Sequence, residues 1–134
     1  MTRLYHLLVL IPAVWLGGSV PALGAGQQLG MLDQLERGAW ELRYRGEPRV
    51  ERLCMASGRN LIQLRHPGPA CERVVIEDGP SEVTVQYTCA GRGYGRTEIK
   101  RETNRLVQVE SVGIVDGLPY ELLAEARRVG DCSS

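Results

Sequence analysis

The chain contains four cysteines, and their spacing restricts the kinds of site that they can form. They are Cys54, Cys71, Cys89 and Cys132, separated by 17, 18 and 43 positions. Zinc sites and thioredoxin-like redox sites place two cysteines about two to four residues apart, and this sequence has no such pair and no paired histidine. An even number of widely spaced cysteines instead favours two structural disulfides. We therefore expect no metal site and no cofactor.

Three other features contain residue types that are common in catalytic or binding sites, but none lies in the sequence context that such a site requires. His66 precedes a proline in a loop, and no nucleophile motif accompanies it, so we expect a solvated side chain. The segment 91–95 (GRGYG) is glycine-rich, but it lies between two predicted strands, whereas a phosphate-binding loop opens a helix. Glu121 and Glu125 share a strand face and could lie close together, as the two carboxylates of a hydrolytic site must, but no other feature of the sequence indicates a site around them. The sequence thus predicts no catalytic residue, and we expect a protein that is not an enzyme.

Basic residues cluster between the third cysteine and the C-terminal strands. They are Arg92, Arg96, Lys100, Arg101 and Arg105. Arg96 and Lys100 would share one strand face, so the cluster offers an anion-binding patch. Glu98 and Glu102 interrupt it, which favours ion pairs on a solvated face instead.

The stretch from Cys71 to Cys89 predicts the element around which the other elements are arranged. Two runs rich in valine, isoleucine, threonine and tyrosine flank residues 78–81 (DGPS), which indicates a β-hairpin. A three-residue loop would set Asp78 against Glu82 and Cys71 directly opposite Cys89. Opposed strand residues have Cα atoms roughly 4.5–5.5 Å apart, which suits a disulfide. This pairing leaves Cys54 to bond Cys132.

A second register of the same hairpin competes with the first. A two-residue loop would align the apolar residues better, setting Ile76 against Val83, but it would place Cys71 opposite Thr88. The two registers differ by one residue and put side chains on opposite faces. We expect a one-residue bulge near residues 73–75 to reconcile them.

Residues 1–25 have the pattern of a secretory signal peptide. Arg3 provides a positive start, residues 7–18 are apolar, and residues 19–26 (SVPALGAG) are small. The apolar run is shorter than the roughly 20 residues that a membrane helix needs, so we expect no stable membrane span after cleavage. The prediction is one disulfide-bonded β domain over residues 26–134, located in the periplasm or secreted.

The exported part is nearly neutral in charge. Removing residues 1–25 removes Arg3 and no acidic residue, which leaves 15 basic and 16 acidic residues. A balance so close to zero argues against nucleic acid or an anionic membrane as a partner recruited by bulk charge.

The exported chain shows a succession of short strands. Trp40, Leu42 and Tyr44 alternate with charged residues, which is typical of a strand with one solvated face. Residues 118–129 show the same alternation, and Ser57 can cap a short helix to about Leu64. We expect a mainly β fold: an antiparallel meander sheet curled into a small barrel or half-barrel, with one short helix and two disulfides. The aromatic side chains expected to fill its core are Trp40, Tyr44, Tyr87, Tyr94 and Tyr120.

Several short motifs follow one another along the exported chain. They are Gly38-Ala39-Trp40-Glu41, Cys54-Met55, Cys71, Cys89-Ala90-Gly91 and Gly130-Asp131-Cys132. In this order they resemble a bacterial family of exported domains of unknown function, number 3617, from Leu35 to Cys132. The resemblance implies a small exported β domain with this cysteine layout and assigns no catalytic residue. Many members have methionine-rich strands near the C-terminus, where this chain has Val107, Val109 and Leu122, so no methionine-linked role is expected.

These features together favour a binding role. Small barrels and half-barrels hold ligands in their mouths, and exposed sheet edges bind other proteins. We therefore expect a non-enzymatic module that binds an apolar small molecule or a protein of the cell envelope. A structural or interaction component of the envelope is the alternative, and an enzyme is a third reading that no residue constellation supports.

Overall fold

A computed structural model describes residues 29–133, which form one seven-stranded antiparallel sheet with two short helices. The predicted signal peptide, residues 1–25, lies outside the described residues. The helices are α1, Gly30–Asp33, and a 3-10 helix, Gly58–Leu61. The strands are β1 Gly38–Tyr44, β2 Val50–Met55, β3 Glu72–Asp78, β4 Glu82–Cys89, β5 Gly93–Thr103, β6 Leu106–Val115 and β7 Leu118–Gly130.

The strand order confirms a mainly β antiparallel fold but not one continuous meander. Strands β3 to β7 follow one another as a meander, whereas β1 and β2 form a separate hairpin that joins the sheet through β7, giving the order β2-β1-β7-β6-β5-β4-β3. The reason is that residues 56–71 leave the sheet after β2, so that β3 begins at the opposite edge. Strands β2 and β3 are the two edges of the sheet, which is open.

The inner face of the sheet is mainly apolar, and the N-terminal helix and the 3-10 helix belong to the same core. Trp40 and Leu42 on β1 are 0% exposed, as their alternation with charged residues predicts. Leu32 from α1 and Leu61 from the 3-10 helix are also 0% exposed and belong to the same hydrophobic cluster. The interior is therefore occupied by the protein's own side chains.

Ser57 starts the 3-10 helix as the sequence predicts. Its side chain accepts a hydrogen bond from the Arg59 N–H, and the Asn60 side chain accepts one from the Ser57 N–H, which completes a capping box. The regular helix ends at Leu61 rather than near Leu64, and turns follow it. One helical turn is enough to place Leu61 over the sheet.

The β3–β4 hairpin contains the predicted bulge, but nearer the turn than predicted. Val75 pairs with Val85 and Asp78 pairs with Val83, so the register shifts around Ile76 rather than within residues 73–75. Because Asp78 pairs with Val83, neither the three-residue loop nor the two-residue loop predicted from the sequence is present at the turn.

Two contacts hold this turn. The Asp78 carboxylate accepts a hydrogen bond from the Leu29 N–H at 3.1 Å, and the Gly79 N–H donates to the Glu82 carbonyl at 2.8 Å. On this edge strand Ile76 is 49% exposed and Val74 is 61% exposed.

Both predicted disulfides are present. From Val75 outward the register leads Cys71 to Cys89, and their Cα atoms are 4.9 Å apart. Cys54 on β2 bonds Cys132 after β7, with a Cα separation of 5.5 Å. The second bond ties the chain beyond β7 to an edge strand across β1.

Candidate functional site

The inner face carries one continuous row of polar side chains, which we call the hydroxyl chain. Its members are His66, Tyr87, Tyr120, Ser111 and Thr97. His66 comes from the segment after the 3-10 helix, whereas the other four come from β4, β7, β6 and β5. The chain therefore joins four neighbouring strands to the segment that covers them.

Distances along the hydroxyl chain are those of hydrogen bonds. His66 Nδ1 lies 3.0 Å from the Tyr87 hydroxyl, which lies 3.0 Å from the Tyr120 hydroxyl. Ser111 Oγ is 3.1 Å from the Tyr120 hydroxyl and 2.8 Å from Thr97 Oγ1. At its two ends the hydroxyl chain meets the backbone carbonyls of Arg92 and Ile62.

His66 is buried, so the expectation of a solvated loop histidine is wrong. Its side chain is 1% exposed, and Nε2 lies 3.1 Å from the Arg92 carbonyl. The imidazole also packs edge-on against the Tyr87 ring, with centroids 5.3 Å apart. His66 is buried because residues 62–69 fold onto the inner face of the sheet.

Gln63 holds that segment in place. Its Nε2 donates to the carbonyls of His66 and Pro69, both at 2.9 Å. Its Oε1 accepts from the Cys71 N–H at 3.1 Å and from Arg73 at 3.0 Å. One buried amide thus fixes the loop, the first disulfide and the start of β3 relative to one another.

Close approach of the two tyrosines requires a glycine on β5. A Cβ atom at position 95 would lie 2.5 Å from the Tyr87 hydroxyl and would overlap that of Tyr120. Burial, together with the hydrogen bond to Tyr120, raises the pKa of Tyr87, so this phenol keeps its proton in the fold. The two hydroxyls meet directly above the backbone of Gly95.

Part of this site was visible in the sequence. Thr97 lies on the same buried face of β5 as Ile99, and Ser111 lies on the same buried face of β6 as Val109. Thr97 and Ser111 are paired across the two strands. Hydroxyls at apolar positions of two adjacent strands are a signal of a buried polar pair. No local pattern marked His66, because its burial depends on a long-range contact.

The predicted anion patch is divided in the structure. Arg96 and Lys100 lie on the outer face of β5, where Lys100 Nζ is 2.6 Å from Glu98, whose hydrogen bond raises the pKa of Lys100. Arg92 donates instead to the Pro67 carbonyl, and Arg101 donates to Gln34, Asn104 and the Pro80 carbonyl. Arg105 lies 3.6 Å from Glu36. The five cations are therefore not gathered at one site.

The outer face instead gathers apolar side chains into what we call the outer apolar patch. It consists of Tyr94, Val112, Ile114 and Pro119 on β5, β6 and β7. Tyr94 pairs with Ile114, which pairs with Pro119, so the three share one row and one face. Val112 lies in the next row, between Arg96 and Glu121.

The exposure of this patch departs from the sequence prediction. Tyr94 is 50% exposed, so it does not fill the core as expected, and Val112 is also 50% exposed. A cleft of about 130 Å³ runs beside Val112 and is also lined by Arg96, Glu121 and Leu123. The patch therefore has an apolar centre and a charged rim.

A second cleft lies near the end of β1. It measures about 170 Å³, and Tyr44, Arg45, Arg49 and Arg65 are among its lining residues. The Arg49 guanidinium lies 4.4 Å from the centre of the Tyr44 ring, a cation–π contact. Burial, with the hydrogen bond to Glu51, raises the pKa of Tyr44 to about 12.

The described residues also bear on metal binding and on membrane crossing. Residues 29–133 contain no group of three or more His, Cys, Asp or Glu side chains placed to hold a metal ion. Neither helix in this part of the chain is long and apolar enough to cross a membrane. Glu121 and Glu125 do share the outer face of β7, where Glu125 is paired with Arg127 at 3.3 Å.

Comparisons with protein-family models, with curated proteins and with solved structures find no match to this chain. The candidate site is therefore interpreted from its own geometry.

Proposed function

We propose that this protein is an exported, non-enzymatic binding module that engages a protein of the cell envelope through the outer apolar patch. The observation that carries this proposal is the contrast between the two faces of the sheet. The inner face is filled by its own core, with Trp40 and Leu42 fully buried. The outer face leaves Tyr94 and Val112 half exposed in adjacent rows.

The composition of the patch suits a protein partner. Protein interfaces combine an apolar, aromatic centre with a polar rim, and tyrosine is enriched among the residues that dominate binding energy. Tyr94 and Ile114 supply such a centre, while Arg96 and Glu121 lie at its border. Exposed apolar side chains grouped in this way mark interaction sites more often than isolated ones do.

Export to the periplasm or the exterior is part of the same proposal. The two disulfides support it, because such bonds persist in oxidising compartments. Residues 1–25 support it by their signal-peptide pattern. We further propose that the chain belongs to family number 3617, because its motifs follow the same order. We also propose that the sheet curls into a half-barrel, because its inner face is covered by buried side chains.

An apolar small molecule is the second binding partner that the sequence suggests. It would need space within the curved sheet, but Leu32, Leu61 and Ile62 already occupy the inner face. Native mass spectrometry of the exported protein separates the two cases. A small-molecule mass that is lost on denaturation supports the ligand, and a bare chain supports the protein partner.

A photo-crosslinking amino acid at position 94, expressed in the exporting host, tests the partner directly. We expect one discrete adduct from position 94 that disappears when Val112→Lys is added. The matched control is the same amino acid at position 50, because Val50 is 51% exposed on the edge strand β2. An equal adduct from both positions, or none from position 94, would contradict the proposal.

A further inference from the structure

Strand β7 extends beyond the strand that pairs with it on one side. β1 pairs with β7 only as far as Tyr44, which lies opposite Ala124. On the other side, β7 pairs with β6 as far as Leu118. Within the part of the chain that the structure describes, residues 118–123 therefore have a neighbouring strand on one side only. We call their open side the β7 edge.

The β7 edge presents backbone groups that can pair with another strand. The Leu123 carbonyl accepts a hydrogen bond from the Arg45 N–H at 2.8 Å, so Leu123 directs its backbone groups towards the open side. Every second residue of a strand points the same way, so Glu121 and Pro119 direct theirs to this side too. Among the described residues, no strand or loop forms a further backbone hydrogen bond with these groups there. Such a row of backbone groups is a template for strand addition.

The cleft of about 170 Å³ near the end of β1 lies along the β7 edge. Residues from the end of β1 and from β7 line it, among them Tyr44, Arg45, Glu121, Leu122 and Leu123. Arg65, from the segment on the inner face, also lines it, and its guanidinium lies 5.6 Å from the centre of the Tyr120 ring. The space beside the β7 edge is therefore open, and arginines border it.

The charge of this cleft favours an acidic strand. Three arginines and two glutamates line it, so its net charge is positive. Arg49 already stacks on the Tyr44 ring and lies 4.0 Å from Glu51. Arg45 and Arg65 are exposed, and neither forms an ion pair with another described residue. A carboxylate on an added strand would give these two guanidiniums a charged hydrogen-bond partner.

The outer apolar patch adjoins the β7 edge. Pro119 belongs to both, and it pairs with Ile114 in the same row as Tyr94. Successive side chains of a strand point to opposite faces. A strand in which apolar and acidic side chains alternate would therefore place its apolar side chains beside the patch and its carboxylates on the side of Arg65.

We propose that the β7 edge binds an extended segment of the partner protein as an added strand, and that apolar and acidic side chains alternate along this segment. Its backbone pairs with Glu121 and Leu123, and its carboxylates bind Arg45 and Arg65. The inference rests on the proposed function, because it describes how the same partner is held beside the outer apolar patch.

Amide hydrogen exchange measured by NMR tests this inference with a defined probe. The probe is an end-blocked peptide that alternates valine and glutamate, and its matched control alternates valine and lysine. In the free protein, the amides of Glu121 and Leu123 should exchange faster than those of Tyr120 and Leu122, which face β6. At about 90% occupancy by the acidic peptide, exchange at Glu121 and Leu123 should slow about tenfold. The basic peptide should leave it unchanged.

Charge reversal in the cleft tests the role of the two arginines. The double variant Arg45→Glu/Arg65→Glu should lose protection by the acidic peptide and gain protection by the basic peptide. Arg37→Glu/Arg52→Glu is the matched control, because it makes the same change of charge at exposed residues outside the lining of the cleft. This control should behave like the parent. Circular dichroism confirms that each variant is folded.

Four results would overturn the inference. The Glu121 and Leu123 amides might be protected already in dilute free protein, stay unprotected with the acidic peptide, or be protected equally by both peptides. Protection that rises with protein concentration alone would assign the β7 edge to a second copy of this chain. A discrete adduct from position 94 without protection of the β7 edge would reject strand addition and retain the partner on the patch. Protection without an adduct would do the opposite.

Discussion

His66 and Tyr87 are 21 residues apart in the sequence, yet the imidazole Nδ1 and the phenol oxygen lie 3.0 Å apart inside the fold. This contact fixes the segment after the 3-10 helix on the inner face of the sheet. The inner face is therefore covered, and the partner that we propose would bind the outer face, where Tyr94 is half exposed.

Gly95→Ala should destabilise the fold by about 1–3 kcal/mol, because the added methyl would collide with the hydroxyls of Tyr87 and Tyr120. Gly130→Ala is the matched control, since it is also a strand glycine but a Cβ there meets no atom within 4 Å. Denaturant unfolding measures both variants. Equal unfolding free energies for the two would show that the tyrosines do not pack against position 95.

Thr97→Val should cost about 1–3 kcal/mol, because it removes the hydroxyl that donates to the buried Ile62 carbonyl and one of the two hydrogen-bond partners of Ser111. Thr84→Val is the matched control, because it makes the same substitution at a threonine that is 2% exposed and has no described side-chain hydrogen bond. The unfolding free energy should fall more for Thr97→Val than for Thr84→Val. The reverse order would contradict the hydroxyl chain as a stabilising element.

Removing either disulfide by a double cysteine-to-serine change should destabilise the protein strongly. On the chain-entropy account, the Cys71–Cys89 bond contributes about 3 kcal/mol and the Cys54–Cys132 bond, which closes a much longer loop, contributes about 4 kcal/mol. Urea midpoints of the two variants measure the difference. A variant without both bonds should fail to fold stably, and an unchanged midpoint would refute this account.

Tyr44 should ionise late in an alkaline titration. Its folded-state pKa of about 12 lies above the ordinary value of 10.0, so the folded protein holds this proton more tightly than the unfolded chain. The stability that Tyr44 contributes is therefore complete below pH 10 and is lost as the pH rises towards 12. In an alkaline titration followed by tyrosinate absorbance, the Tyr44→Phe variant should show one fewer tyrosine ionising at high pH than the parent protein. Tyr94→Phe, an exposed tyrosine, should retain it; a late step of full size in Tyr44→Phe would contradict the assignment.

Local patterns predicted much of the fold. The alternation of Trp40, Leu42 and Tyr44 with charged residues identified a strand and its buried face. The hairpin spacing between Cys71 and Cys89 identified both disulfides, since pairing two of four cysteines leaves only one further bond. Such signals depend on neighbours along the chain, which a sequence displays directly.

Long-range contacts account for what the sequence did not reveal. The pairing of β1 with β7 brings together strands from opposite ends of the chain, and no local pattern specifies it. The bulge lies at Ile76, next to a turn in which Asp78 accepts a hydrogen bond from Leu29, 49 residues away, and no local pattern displays that contact. The outer apolar patch arises from the registers of three strands, so Tyr94 alone gave no sign of it.

The most direct test of the binding-module account is the accessibility of Tyr94 in the living host. Hydroxyl-radical footprinting compares the oxidation of each side chain in intact exporting cells with that in the purified protein. We expect Tyr94 and Val112 to be protected in cells, while Val50 reacts equally in both. Equal oxidation of Tyr94 in cells and in the purified protein would contradict a partner on the outer apolar patch.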